Sequence, residues 1–243
     1  MATMRFNKNW LLRKNNKIKS INDFEKKVFS QNNEDGILEI IFYKIGVTNK
    51  FSVEFGVETG KECLTRYLAE KKGWNALQMD CNDNLPPHVK NEFITAENIN
   101  DLFVKYGVPQ EFDLLVIDID SNDYYVWKAI KTYSPRVVVV EYNSKFPPPQ
   151  SVTITYDPKQ MWDGTDYMGA SLSALNKLAK EKKYRLIGCD NSGTNAFFVR
   201  NDLVNGHFEL KSEEELYRLP NYGVYINGKR SGHPASSKKM IEI

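Results

Sequence analysis

Acidic side chains gather at the ends of several apolar runs in this 243-residue chain. The densest group is Ile117-Asp118-Ile119-Asp120-Ser121-Asn122-Asp123-Tyr124, where three aspartates follow Leu114-Leu115-Val116. Like charges this close repel unless a cation, a proton or hydrogen bonds relieve them. Glu141 and Asn143 end the next apolar run, Val137–Val140, and can face the same crevice. An oxygen-only set of Asp118, Asp120, Glu141 and Asn143 suits Mg2+ or Mn2+ rather than zinc. Asp118, Asp120 and Glu141 are also the candidates for a general base. The alternative is that Asp123 caps the following helix, one aspartate binds substrate and no metal is held.

A second group is Val53-Glu54-Phe55-Gly56-Val57-Glu58-Thr59-Gly60. Gly56 and Gly60 allow a sharp turn and a close backbone approach to a ligand. A dinucleotide pyrophosphate wants amides and few anions, and Glu58 occupies the second glycine position of G-x-G-x-x-G. A cationic sulfonium ligand with an amino group has the opposite demand, which Glu54 and Glu58 meet. Asp80, 20 residues beyond Gly60, can accept both ribose hydroxyls of a nucleoside. Asn98 can meet an adenine edge. The plainer alternatives are a tight turn without a ligand and a loop-capping Asp80.

The stretch 143–169 is too long for a simple connection, which suggests a binding role. It carries Tyr156, Trp162 and Tyr167 beside Asp157, Asp163 and Asp166. Aromatic faces pack on a pyranose while acids bond its hydroxyls, so Trp162, Asp163 and Tyr167, with Asp123 and Tyr124, are candidates for acceptor binding. Trp162 as a core or lid anchor is the alternative. His88, His207 and His233 fall at no central strand end and read as loop or surface residues.

The elements that must position these groups alternate. Residues 36–45 and 62–71 carry helical patterns, as do 124–132 and 170–182. Apolar runs at 51–55, 76–79, 113–119 and 136–141, and a weaker one at 91–95, suit strands buried on both faces of a parallel sheet. Strands at 184–188 and 196–200, joined by a turn at Asn191-Ser192-Gly193, form a hairpin that reverses the last strand. The fold expected is Rossmann-like α/β: a doubly wound, mostly parallel seven-stranded sheet with an antiparallel last strand. Residues 1–29 read as a basic arm, 30–203 as the domain, and 204–243 as a partly mobile extension with a short helix at 212–218.

Composition is ordinary, 41% hydrophobic and 26% charged with a formal charge of +2. Three widely spaced cysteines argue against a disulfide framework or zinc site and fit a reducing compartment. No apolar run spans a bilayer, so a cytoplasmic protein is expected, in a host cell if the gene is viral. The basic residues of positions 1–20, and Lys229, Arg230, Lys238 and Lys239, read as solvated segments or phosphate contacts. They lack interleaved aromatics, which disfavours nucleic acid.

In order, Ser30-Gln31-x-x-Glu34-Asp35-Gly36, Val-Glu-Phe-Gly, Ile-Asp-Ile-Asp-x-Asn-Asp-Tyr, Gly169-Ala170-Ser171-Leu172 and Asn195-Ala196-Phe197-Phe198-Val199 resemble the FkbM-like S-adenosylmethionine-dependent methyltransferases. The likeness spans about residues 28–203 and is strongest to the sugar-modifying branch of bacterial and large-virus glycan assembly. It implies that Glu54, Gly56 and Gly60 hold the methionine end of the donor, Asp80 the ribose, and that Gln31 lies near the cofactor. Glu58 stands where the common methyltransferase motif has its middle glycine. The expected activity is O-methylation of a sugar hydroxyl, such as that of rhamnose or another deoxyhexose, assisted by Mg2+ or Mn2+. Metal-dependent O-methyltransferases of catechols and macrolide sugars place acids similarly at these two strand ends. An RNA or protein methyltransferase and an inactive cofactor-binding scaffold are the other readings; a nicotinamide dehydrogenase fits least.

Overall fold

The computed structural model describes residues 16–243. Arg5, Lys8, Arg13 and Lys14 of the basic arm lie outside the described residues. The central sheet takes β1 (Phe51–Phe55), β2 (Asn75–Asp80), β3 (Val89–Asn91), β4 (Glu111–Ile117) and β5 (Ser134–Glu141). After a two-residue strand, β6 (Val152–Thr153), it is completed by β7 (Tyr184–Cys189) and β8 (Asn195–Arg200). The order is β3-β2-β1-β4-β5-β8-β7. Strands β1 to β5 pair in parallel, and β8 runs antiparallel to both neighbours. This is the Rossmann-like, seven-stranded sheet with one reversed strand that the apolar runs predict.

Helices α1 (Glu34–Ile45) and α2 (Thr65–Lys72) cover one face, and α3 (Ile99–Lys105), α4 (Asp123–Ala129) and α5 (Leu172–Glu181) the other. Both faces of the central strands are therefore dry. Leu114, Val116, Val137 and Val139 pack with Ile37, Leu38 and Leu68, whereas Leu115, Ile117, Val138 and Val140 pack with Phe103, Trp127 and Leu175. Alternate residues of one strand point to opposite faces, so an unbroken valine run is what this sandwich requires.

The sheet end opposite the strand C-termini is tied by charge. Arg136 meets Asp113 at 2.7 Å, both side chains almost fully buried. Asp113 also accepts from the amides of Thr48, Asn49 and Lys50, and Arg136 donates to the carbonyls of Ile45 and Gly46. The connection between α1 and β1 is held to the start of β4 and β5 this way. At the N-terminus of α1, Asp35 Oδ2 accepts from the amides of Val28, Phe29 and Ser30 at 2.7–2.9 Å. The Ser30…Asp35-Gly36 pattern thus folds residues 24–30 over the helix, where a Cβ on Gly36 would lie 2.0 Å from the Phe24 carbonyl oxygen.

Several boundaries differ from expectation. Helix α2 begins at Thr65 rather than residue 62, because Glu54 receives the amides of Leu64 and Thr65. The strand expected at 91–95 is instead Val89–Asn91. Helix α3 was not anticipated: seven residues are too few for the apolar spacing to stand out. Beyond α6 (Glu213–Leu216), the extension forms further short strands. Its β9 (Tyr225–Ile226) and β10 (Lys229–Arg230) pair together, and β11 (Ile241–Glu242) pairs with β6 in the long loop. Among the described residues, no helix is long and apolar enough to cross a membrane.

Candidate functional site

The sheet order reverses between β1 and β4, and the crevice opens beyond their C-terminal ends. Gly56 leaves β1 with φ +74°, and a Cβ there would lie 1.5 Å from the carbonyl oxygen of Asp118. The loops after β1 and β4 therefore share one floor. Above it lie a larger cavity of about 680 Å3 and a narrower arm of about 260 Å3, both bordered by Gly56, Glu58, Asp118, Asp120 and Trp162.

The arm is bordered by Glu58, Asp80, Glu92, Asp118 and Asp120 and, among the described residues, by no lysine or arginine. Asp80 Oδ2 accepts from the Glu58 amide at 2.7 Å and Oδ1 from the Asn82 amide at 3.0 Å. A carboxylate has about four lone-pair sites, so two remain for a ligand. Phe93, Ile94 and Ile119 give the arm an apolar side. Glu58 and Asp120 both sit at positive φ, 47° and 55°, a conformation that non-glycine residues hold at a cost of order 1–3 kcal/mol and mostly at functional loops.

The larger cavity contains the acid cluster. One carboxylate oxygen each of Asp118, Asp120 and Glu141 lies within 4.8 Å of the others. Burial, followed by the repulsion of neighbouring acids, holds Asp118 and Glu141 well above the usual carboxylate range. Burial and then Asp123 raise Asp120 to about 6. Glu141 is 6% exposed and shares a side-chain hydrogen bond with Asp118, and its Oε2 has no hydrogen-bond partner among the described residues. A buried carboxylate oxygen in that state is costly unless a ligand satisfies it.

These shifts set a sign for stability. A carboxyl whose folded pKa lies above its unfolded value stabilises the fold below the unfolded pKa and loses that contribution as pH rises through the folded one. For Asp120 the window runs from about 4, the unfolded value, to about 6. Glu54, Asp123 and Asp190 shift the same way, but a cation can relieve only the open cluster. In chelator, the melting temperature should fall between pH 5 and 7. Millimolar Mn2+ should recover much of that loss at pH 7; identical profiles with and without Mn2+ would refute a cation at the cluster.

Gln31 borders the larger cavity and not the arm. Glu54 borders it too, yet its oxygens receive Leu64 N, Thr65 N and Thr65 Oγ1, so it anchors α2. Gly60 turns at φ +69° beside His88. Asn98 is a correction: it accepts from Thr95 N and donates to Phe93 O, bracing its own loop outside both cavities. Asn143 is another, because its amide donates to the carbonyls of Asp166 and Met168 and accepts from Lys145 N. Its oxygen keeps a second lone pair, but Asn143 borders neither cavity, so that lone pair is not brought to the cluster.

Asp123 is fully buried, and its two oxygens take the amides of Ile119 and Ser121. It shapes the loop that presents Asp118 and Asp120 rather than meeting an acceptor. Tyr124 is a core residue packed against Tyr125. Tyr167 is buried, with its hydroxyl accepting from Thr155 N, and Asp163 pairs with Lys238 at 3.0 Å. Both brace the long loop. Trp162 alone of the expected acceptor residues borders the cavity.

The C-terminal extension adds residues that sequence reasoning did not place at the site. Tyr222, Arg230 and His233 border the larger cavity. The His233 ring lies 4.6 Å from Trp162 and 5.2 Å from Tyr222, a short aromatic wall. Lys238–Asp163 and the Ser236 amide on Asp166 fasten it to the long loop. The segment reads in sequence as a partly mobile extension; its aromatics were the available signal.

No protein-family model and no curated protein matches this chain.

Proposed function

We propose that this protein is an S-adenosylmethionine-dependent O-methyltransferase of the FkbM-like kind, acting on a sugar hydroxyl with a divalent cation. The observation that carries the reading is the arm at the sheet reversal, bordered by five acidic side chains, of which Glu92 is paired with Lys105, and among the described residues by no lysine or arginine. Such a surface repels a diphosphate and attracts a ligand bearing a sulfonium and an ammonium. The donor supplies an electrophilic methyl group. Asp80 retains acceptor sites for ribose hydroxyls, and Phe93, Ile94 and Ile119 offer an apolar surface to a flat base.

The cluster fits a hard cation on its own chemistry: three carboxylates within 4.8 Å and an unpartnered Glu141 Oε2. A cation there would lower the pKa of an acceptor hydroxyl. Asp118, Asp120 and Glu141 would hold it, and whichever of them stays free of it can take the hydroxyl proton. The wall of Trp162, His233 and Tyr222 suits a pyranose, which pairs an apolar C–H face with polar edges.

The reading is tested with labelled S-adenosylmethionine and a panel of methyl glycosides, with and without EDTA, alongside calorimetry with adenosylhomocysteine and NAD. Adenosylhomocysteine binding and chelator-sensitive label transfer are expected. Tight NAD binding without adenosylhomocysteine binding would overturn the cofactor assignment. Full transfer in EDTA would remove the cation alone. Donor binding with no transfer to any glycoside would favour the inactive scaffold.

A further inference from the structure

Asn195 opens strand β8, and its pairing partner across the sheet is Glu141. Directly opposed residues of an antiparallel pair point to the same face. Their neighbours agree: Val137, Val139, Phe197 and Val199 all pack on the α1 and α2 side. Ile117 pairs with Val140, so one residue further along, Asp118 comes beside Glu141. Leu114 and Val116 place Asp118 on that same side. Asp118, Glu141 and Asn195 thus form a row across β4, β5 and β8, at the roughly 4.8 Å spacing of neighbouring strands.

Two orphaned oxygens lie in this row. Asn195 is 2% exposed and borders the larger cavity, and among the described residues its Oδ1 has no hydrogen-bond partner, like Glu141 Oε2 beside it. The orientation of the amide is fixed by chemistry. Its nitrogen donates to Glu34 Oε1 at 3.0 Å, and a carboxylate oxygen takes only a donor. Glu34 is itself fully buried and held by the Asn32 amide at 2.7 Å. The carboxylate behind Asn195 therefore turns its oxygen away from α1. A buried amide oxygen left without a donor beside crowded carboxylates is a poor arrangement for an empty protein and a good one for a hard cation.

We infer that Asn195 Oδ1 is a fourth protein ligand of the cation held by Asp118, Asp120 and Glu141, with Glu34 as the residue that orients it. The inference rests on the cation part of the proposed function and is independent of the methyl donor. A neutral oxygen adds coordination without adding to the repulsion among three acids.

Mn2+ affinity, measured by electron paramagnetic resonance on the full chain, is the test. Near-ultraviolet circular dichroism monitors the fold, and adenosylhomocysteine calorimetry serves as a separate readout. Asn195→Ala should weaken Mn2+ binding by at least about tenfold and leave adenosylhomocysteine affinity unchanged. Asn195→Asp alone would set two carboxylate oxygens against each other at Glu34, so it is paired with Glu34→Gln, whose amide can donate to the new carboxylate. The double variant Asn195→Asp/Glu34→Gln retains an oriented oxygen and should bind Mn2+ more tightly than Asn195→Ala. If Asn195→Ala does not fold, the double variant must still bind Mn2+ within about tenfold of wild type. Wild-type affinity in Asn195→Ala, or loss of Mn2+ by a folded Asn195→Asp/Glu34→Gln, would overturn the ligand role. Failure of the wild-type protein to bind Mn2+ would overturn the cation reading as well.

Discussion

Glu141→Gln should reduce methyl transfer by about 10²–10⁴-fold, the range for removing a positioned acid–base group, while melting no lower than the wild-type protein. The two effects share one cause. Glu141 is buried beside Asp118, both are held above the ordinary carboxylate range, and Oε2 has no donor. A glutamine of nearly the same shape removes one charge from a repelling pair and can donate its amide hydrogens to Asp118. The fold gains and the chemistry loses, which is the usual trade-off where a site is electrostatically strained. The rate of labelled methyl transfer and the melting temperature in chelator decide it. Wild-type turnover would remove Glu141 from the chemistry. A melting temperature many degrees lower would instead make it a structural group, as Asp113 is, with its carboxylate filled by amides and Arg136.

Gly56→Ala should be the most damaging single methyl in the domain. The new Cβ would meet the Asp118 carbonyl oxygen at 1.5 Å and its carbon at 2.7 Å, backbone atoms that cannot step aside without parting β1 from β4. A left-handed φ of +74° adds a further penalty, of roughly 1–2 kcal/mol for a non-glycine residue. The total is expected to reach the exceptional class of about 4–5 kcal/mol, with adenosylhomocysteine binding lost because the crevice floor is displaced. Gly73→Ala is the control. Its φ is +69° but no atom lies within 4 Å of the new methyl, so only the conformational cost applies. Urea unfolding of the two variants separates the contributions, and equal losses would show that the β1 and β4 loops do not abut.

What the local sequence determined is what local physics can reach. Strand and helix periods are written in neighbouring residues, so Leu114–Ile117 and the Val137–Val140 run announced buried parallel strands. The hairpin of β7 and β8 followed from the short turn between them. Acids at strand ends could likewise be read directly: Asp80, Asp118, Asp120 and Glu141 all border the crevice. Sequence could not say which polar groups were already spent. That depends on amides arriving from distant segments, such as Ile119 and Ser121 filling Asp123, or the loop carbonyls at 166 and 168 filling Asn143. Tertiary structure alone also set Asn195 beside Glu141, because the two lie 54 positions apart and meet only through sheet order. It alone brought His233 and Tyr222 to the cavity, through a tail whose pairing partner, β6, is two residues long. Periodicity needs several residues to show itself, and a contact between remote short segments leaves none.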